Sequence, residues 1–203
     1  LLGLTSANPA CYAPDPAKWH YARGLACARD GDLPAAECEF RTACALAPGF
    51  VPAIVKLGRT LQEQGRTDAA VAEYRRAAQL QPDYAETYDL WGTALSQAGR
   101  GEEAVRVFSR GLQADADAVG VRLNLGRTLA AQGDLAAAIH HFQHVLAIEP
   151  DHLDALFDLG HALHDLGRFP EAEAAFQRVM VLNPRYPGLR QVITSTPAPE
   201  PAP

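Results

Sequence analysis

LDALFDLGHALHDLGRFPEAEAAFQRVMVLNPRY, residues 153–186, is one copy of a pattern that returns every 34 residues along this chain of 203. Glycine stands at positions 8 and 15 of every copy, alanine at position 20 and an aromatic residue at position 24. Proline stands at position 32 in all copies except the third, where Ala116 replaces it. Such a period predicts a tandem array. The five complete repeats are 17–50, 51–84, 85–118, 119–152 and 153–186.

The repeated residue types predict two antiparallel helices in each repeat. Glycine at position 15 suits a left-handed turn that would end the first helix. The small residues at positions 8 and 20 let the two helices approach closely, and the proline at position 32 ends the second helix. Three aspartates follow position 32, and we expect them to cap the next first helix. These are Asp83, Asp117 and Asp151.

This frame resembles the tetratricopeptide repeat family. The family motif W-x2-L-G-x2-Y, followed by Ala, Phe and Pro, is met by Leu57-Gly58, Leu125-Gly126 and Leu159-Gly160 together with the alanine, aromatic and proline positions. The resemblance covers residues 17–186. It implies an all-α fold, a right-handed superhelical solenoid of antiparallel helix pairs whose first helices line a concave groove. Residues 1–16 are then an N-terminal extension or degenerate repeat, and 187–203 a short cap stub with a Pro-rich tail.

The same resemblance implies where a partner would bind. In the family, positions 2, 5, 6, 9, 12 and 13 of each first helix face the groove. The charges at these positions are mildly basic in early repeats and acidic in late ones, which would orient an extended ligand that carries both signs. Our candidate groove residues are Tyr21, Lys56, Arg59, Gln62, Asp89, Thr93, Asn124, Arg127, Phe157, Asp158 and His161.

We therefore expect a protein-interaction scaffold that binds a peptide or protein segment in this groove, with apolar contact from Tyr21 and Phe157. Two alternatives stay open. The array could be the repeat arm of a larger enzyme or of a secretion or assembly machine, for example a glycosyltransferase, or a module that associates with itself through its repeat edges. Fold-level analogy does not supply a ligand.

Composition excludes several other classes of function. The 18 Lys and Arg against 24 Asp and Glu give a net charge of -6, which opposes binding to nucleic acid. No uninterrupted stretch reaches the roughly 18 apolar residues of a membrane-spanning helix. The chain carries no GxSxG, P-loop, GxGxxG or HExxH motif, so we predict neither enzymatic activity nor a cofactor. The excess of Arg over Lys suggests a bacterial source, and the cytoplasm is favoured over the periplasm.

Two histidine pairs have a spacing that could bind a divalent metal. His140 and His144 are one turn apart, and His161 and His164 are nearly so. Because no carboxylate or cysteine spacing completes a defined site, we interpret these histidines as solvent-facing and predict no metal.

The first repeat holds three cysteines, Cys27, Cys38 and Cys44. We interpret the cysteines as small apolar core residues, with a Cys27–Cys44 disulfide across the hairpin as the alternative.

The end of the third repeat departs from the repeat pattern. Residues 111–120 combine Gly111 with the missing proline, which indicates either a local hinge or a tolerant interface.

Overall fold

The computed structural model describes residues 15–189, which form ten α-helices of 13 or 14 residues and no strand. The all-α repeat fold is thus confirmed. The degenerate repeat expected before residue 15 and the Pro-rich tail expected after residue 189 lie outside the described residues. The helices are α1 (Pro16–Arg29), α2 (Leu33–Leu46), α3 (Val51–Glu63), α4 (Thr67–Leu80), α5 (Ala85–Gln97), α6 (Gly101–Ala114), α7 (Val119–Ala131), α8 (Leu135–Ile148), α9 (Leu153–Asp165) and α10 (Phe169–Leu182).

The chain divides into two compact units, residues 1–83 and 84–203. In both units each odd-numbered helix packs against the even-numbered helix that follows it, so every repeat is a helical hairpin. In the first unit α2 also packs against α3, and in the second unit α6 packs against α7 and α8 against α9. Within each unit, the second helix of a repeat therefore joins its own hairpin to the next one.

The glycines at position 15 make the turn that the sequence predicts. All five lie in the left-handed region, with φ between 75° and 86°. A residue with a Cβ enters this region only at a cost in energy. Each first helix consequently ends at the same place in its repeat. These glycines are Gly31, Gly65, Gly99, Gly133 and Gly167.

Position 8 is small for a more specific reason than general closeness of the helices. A Cβ added to Gly126 would lie 2.6 Å from the ring of Phe142 at position 24, and the same clash recurs in every repeat. The Phe142 side chain is almost fully buried. The aromatic ring of the second helix thus occupies the space that a side chain on the first helix would take, and the glycine and the ring specify one another.

The predicted aspartate caps at the starts of α5, α7 and α9 are wrong. The residues that precede these helices are Tyr84, Ala118 and His152, one position after each aspartate. Asp151 instead forms an ion pair with Arg178, at 2.6 Å. Each aspartate lies one residue before the N-cap position, so its carboxylate does not accept a hydrogen bond from the free N–H groups of the first turn.

The cysteines of the first repeat are free thiols, so the alternative Cys27–Cys44 disulfide is not formed. Cys44 is buried, Cys27 is half-buried and Cys38 is exposed. The interpretation as core residues therefore holds for Cys44 alone.

Packing explains Gly111 without requiring a hinge. A Cβ on this residue would lie 2.9 Å from Cβ of Tyr88 and 3.1 Å from Cγ1 of Val121. Gly111 thus fits α6 between α5 and α7 beside a large buried tyrosine. A hinge at residues 111–120 stays a prediction.

We expect Gly126→Ala to destabilise the protein by about 1–3 kcal/mol, because the new methyl group overpacks against Phe142. Gly49→Ala is the matched control, since nothing lies within 4 Å of its added Cβ, and it should change the stability by less than about 0.5 kcal/mol. Urea unfolding followed by circular dichroism measures both. A Gly126→Ala variant as stable as the wild type would contradict the ring-to-glycine constraint.

Candidate functional site on the first helices

In the first unit, a cavity of about 220 Å³ opens between α1 and α3. Lys56 and Arg59, two candidate groove residues, line it, and Arg59 pairs with Glu63 at 3.1 Å. Phe40 gives the cavity an apolar wall. Its full lining is Leu25, Ala28, Arg29, Phe40, Lys56, Arg59, Thr60 and Glu63.

The other two candidates of the first unit are engaged within the protein. The ring of Tyr21 packs edge-on against Phe50, with centroids 5.2 Å apart, and also contacts Phe40. The hydroxyl of Tyr74 donates a hydrogen bond to the amide oxygen of Gln62, at 3.0 Å. Burial raises the pKa of Tyr74, so its hydroxyl stays a donor at neutral pH. Both candidates thus contribute to packing as well as to the surface.

In the second unit, Asn124 on α7 is tied to Asp89 on α5. The Asn124 amide nitrogen donates to Oδ1 of Asp89 at 2.8 Å, and both side chains are half-buried. Burial raises the pKa of Asp89, the nearby charge of Glu86 adds to the effect, and the hydrogen bond from Asn124 opposes it. The carboxylate therefore fixes the orientation of the amide on this face. Thr93 lies half-buried on the same helix as Asp89.

Arg127 on α7 is tied to α9 on the other side. Its Nε donates to Asp158 at 2.5 Å, and its Nη2 donates to Asp154 at 3.2 Å. The hydroxyl of Tyr186 donates to the other oxygen of Asp154 at 2.5 Å. The sequence analysis counts Arg127 among the basic groove residues, but two carboxylates of the same unit neutralise its charge.

The two aspartates that share Arg127 have pKa values shifted in opposite directions. Burial raises the pKa of Asp158 despite the charge of Arg127. The hydrogen bond from Tyr186 lowers the pKa of Asp154, with Arg127 adding to the effect. The shifts differ because only Asp154 accepts a hydrogen bond from Tyr186 and because Asp158 is the less exposed, with 22% of its side chain accessible against 46% for Asp154.

Phe157 and His161, one turn apart on α9, form an aromatic cluster. Their ring centroids lie 4.6 Å apart, and Phe157 also contacts Tyr186 at 5.0 Å. Gly188 packs so closely on Phe157 that a Cβ there would lie 2.9 Å from the ring. The half-buried Phe157 is therefore largely committed to packing, whereas His161 is exposed.

Tyr186 contacts Asp154 and Phe157 on this face, and the sequence analysis did not single it out. A signal was present, because position 34 is aromatic in three repeats, at Phe50, Tyr84 and Tyr186. In the first and fifth repeats this aromatic residue packs on the aromatic residue at position 5, Tyr21 or Phe157. Tyr21 and Phe157, which we expected to give apolar contact to a partner, are thus each packed against an aromatic residue of this chain.

The described residues 15–189 show no group of three or more His, Cys, Asp or Glu side chains placed to hold a metal ion. Nor does any helix in that range have the length and apolar character needed to cross a membrane.

Family models for the tetratricopeptide repeat match most of the chain. One matches residues 4–49 and 90–148, and another matches residues 129–192. A third, for the TPR repeat, matches residues 58–99. Among the curated proteins, none matches the chain.

Solved structures of similar fold include MamA from Desulfovibrio magneticus RS-1, with a TM-score of 0.74 and 18% identity over 85% of this chain and 98% of that one. YrrB, a TPR protein with an unusual peptide-binding site, gives a TM-score of 0.70 and 16% identity over 86% and 90%. PilW, a type IV pilus biogenesis factor, gives 0.71 and 22% identity over 83% and 78%. At these identities the likeness shows the fold alone.

Tyr186→Phe should raise the pKa of Asp154, because it removes the hydrogen bond that lowers it most. A lowered pKa stabilises the folded state above the unfolded-chain pKa, and that stability is lost as the pH falls through the folded value. The variant should therefore lose less stability on acidification, by under about 1 kcal/mol given the exposure of Asp154. Carboxyl NMR titration measures the pKa. Tyr21→Phe, in the first unit, is the control, and an unchanged Asp154 pKa in Tyr186→Phe would contradict the assignment.

Proposed function

Because the chain belongs to the tetratricopeptide repeat family, we propose that it is a protein-interaction scaffold whose helices α5, α7 and α9 hold an extended polypeptide segment of a partner. The observation that carries this proposal is the polar network that links these three first helices. Asn124 joins α7 to α5, and Arg127 joins α7 to α9.

The network holds polar groups in place before a partner arrives. Asn124 uses one amide hydrogen on Asp89, and an amide side chain offers a second donor and a carbonyl acceptor. An extended backbone presents N–H and C=O groups that match this pair. Since Asp89 already orders the side chain, binding costs less conformational entropy than it would for a free asparagine.

The charge of the same face favours a segment that contains lysine or arginine. Arg127 is paired within the unit, so it offers little attraction to an acidic partner. Carboxylates outnumber it on these three helices, and complementary charge steers association. The carboxylates at the groove positions are Glu86, Asp89, Asp154, Asp158 and Asp165.

The comparisons support binding in general terms. YrrB is a TPR protein with a peptide-binding site, and PilW acts in the biogenesis of type IV pili. Both share the fold with this chain. Neither fixes the partner of this chain.

The proposal is tested by selecting peptides from a random display library on the intact chain and measuring the affinity of the enriched sequences by fluorescence anisotropy. We expect lysine- or arginine-containing peptides whose binding weakens at high salt. Asn124→Ala should weaken binding by about tenfold, equivalent to one hydrogen bond of about 1.4 kcal/mol.

Gln143→Ala is the matched control, because Gln143 is exposed on α8, a second helix. This variant should bind as the wild type does. Peptides that bind both variants equally would place the binding surface elsewhere, and a library that yields no saturable binder would count against peptide binding.

A further inference from the structure

Arg122 occupies a position that the other repeats give to the core. Position 4 of the second, third and fifth repeats is Ile54, Tyr88 and Leu156, all of them buried. In the fourth repeat the same position is Arg122, of which only 8% is exposed. Apolar or aromatic side chains fill this buried position in three other repeats, so the packing of the repeat does not explain a guanidinium there.

The guanidinium has few partners. Its Nη2 donates to the backbone oxygen of Ala116, in the turn between α6 and α7. Its Nε is buried and makes no hydrogen bond, and no carboxylate of residues 15–189 pairs with it. In the first repeat, by contrast, the polar residue at position 4 has an acidic partner, since Nδ1 of His20 lies 2.7 Å from Oε2 of Glu39 at position 23.

Two histidines of α8 complete the cluster. Position 23 of the fourth repeat is His141, which occupies the place in its hairpin that Glu39 occupies beside His20 in the first repeat. Position 26 is His144, and the Nδ1 atoms of both histidines are buried without a hydrogen-bond partner. The charge of Arg122 helps to lower the pKa of His141, with burial the main cause and His140 and His144 also contributing.

In the second repeat the residue at position 26 contacts the preceding turn. Arg76 reaches back to the preceding turn and donates to the oxygen of Pro48 at 2.8 Å. In the fourth repeat Arg122 takes the corresponding oxygen, that of Ala116, and the shorter His144 stands where an arginine would. Arg122 therefore contacts this turn, and His141 lies close enough for the charges of Arg122 and His144 to act on it. All three side chains have a buried nitrogen atom without a hydrogen-bond partner.

A buried cation without a counter-ion is unfavourable, and so are buried polar nitrogens without partners. An anion supplies what all three groups lack. A guanidinium binds the oxygens of phosphate in a matching planar geometry, and each neutral imidazole can turn one N–H towards an oxygen by choice of tautomer.

We propose that Arg122, His141 and His144 form a binding site for a phosphate group, either free inorganic phosphate or a phosphate carried by a partner. Both histidines are half-buried, so part of each ring reaches the surface of α8, and the buried Nδ1 atoms would meet the anion after a rotation of the ring. Asp115 and Asp117 flank Ala116 in the sequence, and Asp115 already accepts a hydrogen bond from the backbone nitrogen of Asp117, at 3.0 Å. This site does not depend on the peptide surface proposed above.

The test uses thermal unfolding of the intact chain at constant ionic strength while inorganic phosphate replaces chloride. The midpoint of the wild type should rise and saturate, because a ligand that binds the folded state stabilises it. Arg122→Leu should fold, since leucine fills position 4 in the fifth repeat. Its apparent affinity for phosphate should be at least tenfold weaker.

Arg178→Leu is the matched control, because Arg178 is half exposed and pairs with Asp151 on the surface. It should keep the full response to phosphate. A parallel titration with phenyl phosphate distinguishes the sources, since a stronger response to it than to the free ion indicates a phosphate carried by a partner. Equal responses of the wild type and Arg122→Leu, or no response of the wild type to either compound, would overturn the proposal.

A second measurement covers the case in which Arg122→Leu fails to fold. In the wild type, phosphate should shift the imidazole nitrogen resonances of His141 and His144 in NMR spectra. The resonances of His20, in the first unit, should stay unchanged. Histidine resonances that do not move at saturating phosphate would overturn the proposal as well.

Discussion

The contact between an aromatic ring at position 24 and a glycine at position 8 sets the spacing of every helical hairpin. In the fourth repeat the ring of Phe142 lies where a Cβ of Gly126 would be, so the two helices approach to one fixed distance. The contact is buried and it recurs in all five repeats. Because it involves one ring and one missing side chain, it leaves the outer positions of the first helix free to vary.

A fixed hairpin repeated at a fixed interval brings distant residues of the sequence together in a regular way. In the second unit, Asn124 meets Asp89 across 35 residues and Arg127 meets Asp158 across 31. Tyr186 meets Asp154 across 32. All three separations lie close to the repeat length. The polar network on α5, α7 and α9 is thus a consequence of the period together with the residues placed at the variable positions.

The sequence predicts the helix pairs and their turns better than it predicts the contacts between side chains. Glycine at position 15 and the 34-residue interval are local or periodic signals, so the helix pairs and their turns follow from them directly. The start of a helix depends on a single residue, and the expected cap at Asp83 failed by one position. The partners of Arg127 also escaped the sequence, because several acidic residues lie within reach and only the distances between helices decide among them.

A repeat array carries its own controls, since the same position can be compared in several repeats of one chain. Residues that recur, such as the glycine at position 8, are explained by packing. Arg122 departs from its equivalents Ile54 and Leu156, and burying its charge costs free energy of folding that an apolar residue at this position would not cost. Its partner carbonyl at Ala116 sits where the third repeat lacks its proline. The two departures thus meet at the turn between the third and fourth repeats, and two histidines of the fourth repeat have Nδ1 atoms without a hydrogen-bond partner.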